Sequence, residues 1–197
     1  MKNSMTPLGA VARGIAAGVV GTAAMDFLWY QRYKRGGGKS GFLKWEFSSG
    51  LCTWESAPAP ALVGKRLVEG FLQGELPAER AALVNNIVHW MYGIGWGSLY
   101  GIVAGTIGPR NVYLGLPFGA GVWTSSYVLL PLARLYKPIW EYDVETLGKD
   151  LSAHLVYGLG TSAAFAGLSM TAYVPEARDT QHPEELLGAL GMSPAAA

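Results

Sequence analysis

The chain has 197 residues, half of them hydrophobic, with 27 glycines, 7 tryptophans and 15% charged residues. A soluble domain carries about 25% charge, so the composition disfavours an ordinary water-soluble domain and points to the membrane class. The net charge of +1 gives no basis for a nucleic-acid partner, and Cys52, the one cysteine, excludes an intramolecular disulfide and a cysteine-based metal site.

In chain order, residues 8–30 are apolar over a length that crosses a bilayer, which takes about 20 residues. A secretory signal would carry its basic residues in front. Here Arg32, Lys34, Arg35 and Lys39 follow the segment and Arg13 interrupts it, which favours a retained helix. Residues 31–83 are polar with apolar islands and read as a cytoplasmic segment, with Trp45, Phe47 and Trp54 at headgroup level. Within it, 61–73 alternates apolar and charged residues at helical period and predicts an amphipathic surface helix. Three further spans follow at 84–106, 112–134 and 151–173, with Pro117 and Pro131 as kink sites in the third span of the chain. The tail 174–197 is polar and reads as mobile, with at most a short helix around 184–190. The connections 31–83 and 134–150 hold 11 of the 15 lysines and arginines, so they belong on the cytoplasmic side and both termini outside.

The second span carries Gly93, Gly97, Gly101 and Gly105, one every four residues, which places them on one helix stripe. In a bilayer such a stripe lets another helix backbone approach, within the chain, from a second copy or from a membrane-protein partner. Gly14 and Gly18 mark the first span, and Gly115 and Gly119 the third. The run His89-Trp-Met-Tyr92-Gly93-Ile-Gly95 returns as His154-Leu-Val-Tyr157-Gly158-Leu-Gly160. An aromatic follows each histidine at the same offset (Tyr100, Phe165), and a short polar residue precedes each by four (Asn85, Asp150). This internal repeat predicts two tandem helix pairs, 8–106 and 112–173, related by an axis along the membrane normal. The fold expected is therefore an all-α, polytopic membrane helix bundle of four transmembrane helices in one domain, 1–173, plus the amphipathic surface helix.

Ionisable groups inside spans are costly and mark pairing or function. Asp26, Asn85, His89, Asp150 and His154 fall at one depth, near the cytoplasmic side, and Asn85/His89 and Asp150/His154 are i,i+4 pairs that meet on one helix face. Three readings follow. The groups fix helix packing; or His89 and His154 bind haem, one from each repeat; or Asp26, Asn85, His89, Asp150 and His154 form a proton or ion path. A zinc enzyme has no supporting spacing, since no HExxH run occurs. Glu141, Asp143 and Glu145 form a solvated acidic lip before the last span, and His182 lies exposed in the tail. No P-loop, GxSxG, CxxC or Rossmann pattern is present, so no catalytic residue is assigned.

Trp54-Glu55-Ser-Ala-Pro58-Ala-Pro60-Ala-Leu-Val-Gly64-Lys65-Arg66, with Asn85-Asn86-x-x-His89 and Trp140-Glu141-Tyr142, resembles a group of small bacterial inner-membrane proteins, the YagU-like proteins. The resemblance implies a four-helix inner-membrane protein without an assigned reaction. The function expected is that of a structural or accessory integral membrane protein.

Overall fold

The computed structural model describes residues 5–47, 51, 53–107 and 111–171. The described residues contain helices and no strand: α1 (Pro7–Arg35), α2 (Phe42–Phe47), α3 (Ala59–Phe71), α4 (Ala81–Ile107), α5 (Gly115–Leu132) and α6 (Val144–Thr171). Short 3-10 turns precede α4, α5 and α6. The tail expected at 174–197, its short helix and His182 lie outside the described residues.

Local chemistry sets the boundaries. Thr6 Oγ1 accepts from the Gly9 N–H, and Pro7 fills the first position of α1, where a missing N–H costs nothing. The helix stops at Gly36, whose N–H returns to the Arg32 carbonyl, and Gly37 takes a left-handed φ of 89°. Asp143 caps α6 by accepting from the N–H and hydroxyl of Thr146 at 2.8 and 2.7 Å. Those two hydrogen bonds hold the Asp143 carboxyl below the usual range. Pro117 and Pro131 do not interrupt α5 in mid-course. Pro117 lies in its first turn, where backbone N–H groups have no intrahelical partner, and Pro131 lies in its last. α1 alone among the described helices meets both length and hydropathy requirements for a membrane span. α4 and α5 contain no Asp, Glu, Lys or Arg, but glycine, serine, tryptophan and tyrosine dilute their hydropathy.

The four long helices pack in the order α4–α1–α6–α5, and α3 lies against α4. The α4 stripe is covered within the chain by α1. A Cβ at Gly97 would stand 2.4 Å from Gly18 Cα, and one at Gly101 would stand 2.3 Å from the Ala10 carbonyl oxygen. The second pair packs the same way, since a Cβ at Gly158 would stand 2.0 Å from the Gly115 carbonyl oxygen. Its register differs by a turn. The Gly93 carbonyl faces Gly18, whereas the matching Gly158 carbonyl faces Gly115, so Gly115 stands where Gly18 does rather than where Gly14 does.

α1 and α6 are the inner helices and run antiparallel. Arg13 donates to the Leu168 carbonyl at one end, and Arg32 donates to the Lys149 carbonyl and Ser152 Oγ at the other. α1 and α5, the equivalents that tandem pairing implies, are therefore not equivalent in packing: α1 is inside and α5 at the edge. α4 and α5 make no close backbone approach. Large side chains bridge them at one end, with Trp96 and Tyr100 against Phe118 at ring distances of 6.3 and 4.8 Å. The other end is left as a cleft.

Candidate functional site

The cleft between α4 and α5 is a cavity of about 360 Å³. Every long helix contributes to its wall, and α3 covers it with Ala59, Pro60 and Val63. α3 holds this position because Gly64 has no side chain to strike Val84 and Val88 of α4. At its far side, Arg66 donates to the Ala133 carbonyl just after α5. Trp54, ahead of α3, donates its indole N–H to the Leu76 carbonyl at 3.1 Å and so closes the loop around the helix. The predicted surface helix thus begins two residues earlier than read and lies across the bundle, with Ala59, Ala61 and Gly64 buried.

Both histidines of the repeat line this cavity, together with Asp150. Their partners differ. His89 Nε2 lies 2.9 Å from Oδ1 of Asp26, on α1. Asn85, the expected helix-face partner of His89, does not join it, and its Oδ1 is buried without a hydrogen-bond partner. His154 does meet Asp150. Its Nδ1–H donates to the Asp150 main-chain carbonyl at 2.9 Å, and the Asp150 carboxylate stands 3.5 Å away. Four of the five candidate residues therefore form two pairs, Asp26 with His89 and Asp150 with His154, and Asn85 Oδ1 bonds to none of them.

Three features are invisible to sequence spacing. The first is Glu46 on α2, only 8% exposed. Its carboxylate accepts the Trp90 indole N–H at 3.0 Å, and its main-chain carbonyl accepts from Asn86 at 2.9 Å. Burial pushes the Glu46 carboxyl up; the Trp90 bond opposes this and the nearby charge of Asp26 adds to it. Asp26 Oδ2 is itself buried without a hydrogen-bond partner. The flanking Trp45 and Phe47 were the one sequence signal that this glutamate leaves water. The second feature is Tyr136, whose hydroxyl is pushed up by burial and then by the negative charge of Asp150. The third is Tyr157, which donates to the Gly93 carbonyl at 2.6 Å and ties one copy of the repeat to the other.

The donor set bears on a haem site. An imidazole that ligates iron through Nε2 commonly anchors its Nδ1–H on a carbonyl. His154 is arranged in that way. His89 is not, because Nε2 is held by Asp26. The pair fits a bis-histidine site at one of its two positions only. Among the described residues, no group of three or more histidine, cysteine or acidic side chains is placed to hold a metal ion.

Comparison of the chain with known protein families, curated sequences and solved structures finds no match.

Proposed function

We propose that this chain is an integral membrane protein of accessory, non-catalytic role that crosses the bilayer four times and holds a small membrane-soluble molecule between α4 and α5. Its cytoplasmic face would be the α3 face, both termini would lie outside, and the bacterial inner membrane is the location that agrees with the YagU-like motifs. Residues of those motifs, Pro60 and His89, stand in the cavity wall.

Two patterns support the membrane placement. Large apolar side chains point outward from the bundle, among them Ile15, Val20 and Phe27 of α1, Met91, Leu99 and Val103 of α4, and Val128 and Leu132 of α5. In water an apolar surface of that extent is a liability. The helix contacts inside are made largely by small and polar residues, with Ala17, Thr22, Ala153, Thr161 and Ser162 among the most buried, beside a few large ones such as Tyr157 and Phe165. Small residues at the contacts suit helices that associate in lipid through close backbone approach.

The observation that carries the binding role is the cavity itself. Its wall is mainly aliphatic and aromatic, with few polar groups, which is the usual make-up of a small-molecule site. Occupancy is the test. In native mass spectrometry of the protein extracted gently from its membrane, wild type should retain a bound small molecule, and Val63→Trp, which fills the cavity from α3, should not. Identical spectra for the two would remove the reading.

A further inference from the structure

Most polar side chains in the cavity wall are already spent on the protein. The hydroxyls of Thr22 and Tyr157 donate to the Gly18 and Gly93 carbonyls at 2.9 and 2.6 Å. Ser126 donates to the Val122 carbonyl at 3.2 Å, so in its contact with Tyr92, at 3.3 Å, the tyrosine hydroxyl is the donor. His89 turns Nε2 to the Asp26 carboxylate. Left without a hydrogen-bond partner among the described residues are the Tyr136 hydroxyl, the Trp29 indole N–H and the second ring nitrogen of each histidine.

His154 decides what a ligand has to offer. Its Nδ1 stands 2.9 Å from the Asp150 main-chain carbonyl, which only accepts, so Nδ1 carries the hydrogen and Nε2 of the neutral ring is a bare acceptor. The Asp150 carboxylate, 3.5 Å from Nδ1, makes that acceptor stronger. Nε2 has no partner, yet it is not sealed in the protein. Among the described residues the fully buried side-chain atoms that lack one are Asp26 Oδ2, Asn85 Oδ1 and Trp123 Nε1. Nε2 therefore opens on the space that His154 lines. A ketone has no hydrogen to give it. An ammonium group has no lone pair for Tyr136 or Trp29, and Asp150 already has the imidazole beside it. A carboxylate would meet Asp150 in a wall without Lys or Arg. A hydroxyl gives a hydrogen and accepts one at a single neutral atom, and Met25, Val122 and Leu130 ask for an apolar body.

We propose that the cavity binds a neutral lipophilic hydroxyl compound, its hydroxyl donating to His154 Nε2 and its apolar body lying along Met25, Val122 and Leu130. This rests on the reading of the cleft as a binding site. Phenols and aliphatic lipid alcohols share this chemistry.

The experiment uses full-length protein in maltoside micelles and two isosteric probes, para-propylphenol and para-propyltoluene, which has a methyl group in place of the hydroxyl. Saturable thermal stabilisation is the readout, with affinities expressed per mole fraction of probe in the micelle. Wild type should be stabilised by both and should prefer the phenol by about ten-fold. His154→Phe should remove that preference by weakening the phenol alone, and His154→Leu should do the same. Equal affinities for the two probes in wild type, a comparison that needs no variant, would overturn the hydroxyl proposal and leave the cleft a binding site. A phenol preference kept in either His154 variant would also overturn it. If neither probe acts on wild type, or if Val63→Trp leaves both responses intact, the cleft itself is not a binding site. The isomer para-ethylbenzyl alcohol separates the sources: it binds more tightly than the phenol if the site is built for an aliphatic alcohol, and less tightly if it is built for a phenol.

Discussion

At the scale of the residue, Gly97 shows how little room the bundle leaves. The atoms that a Cβ would meet there are backbone atoms of Gly14 and Gly18, which cannot swing aside. Gly97→Ala should therefore destabilise the protein by about 1–3 kcal/mol, read as a lower unfolding midpoint in mixed micelles. Gly95→Ala, two residues away, meets nothing within 4 Å and should be neutral or better. Glu46 supplies a pH dependence. Its carboxyl holds its proton more firmly in the folded chain than in the unfolded one, with Trp90, Asp26 and His89 around it. The folded state then binds more protons, so this group's stabilisation is present at low pH and is lost as pH rises from the ordinary carboxylate range through its raised value. Glu46→Gln should flatten that part of the stability–pH curve, and an unchanged slope would remove Glu46 as its source. The stripe and the histidines were legible in sequence because helical period alone brings such residues together. The Asp26–His89 and Glu46–Trp90 contacts were not, because each joins residues on separate helices whose relative placement no local pattern encodes.

At the scale of the element, α3 shows what periodicity can and cannot decide. Its apolar and charged residues announce an amphipathic helix, and the helix is present. What covers its apolar face depends on Gly64 meeting Val84 and Val88, a fit between distant segments. Gly64→Ile should lift α3 from α4 and expose the 54–77 region to limited proteolysis, with the helical content of the four long helices kept. Unaltered proteolysis would mean that Gly64 does not set the docking. The repeat gives the same lesson. Both copies place glycine against a partner carbonyl, as the matched runs imply, yet the second does so one turn out of register. Sequence identity between copies fixes which residues are small. It does not fix which turn of the neighbour they meet.

At the scale of the whole molecule, the all-helical architecture follows from composition and period, while the packing order α4–α1–α6–α5 does not. That order matters most for function, because it parts α4 from α5 and leaves the cleft in which His89, Asp150 and His154 face one cavity. The short connection after α4 and the basic connection after α5 must lie on opposite faces of the membrane if α4, α5 and α6 are spans. The direct measurement is labelling of single cysteines, in a Cys52→Ser background, with a membrane-impermeant maleimide on sealed, oriented vesicles. Cysteine at Asn111 and cysteine at Lys137 should label from opposite sides, Lys137→Cys from the cytoplasmic one. Labelling of both from the same side, or recovery of the protein in the soluble fraction, would contradict the four-span bundle on which the account rests.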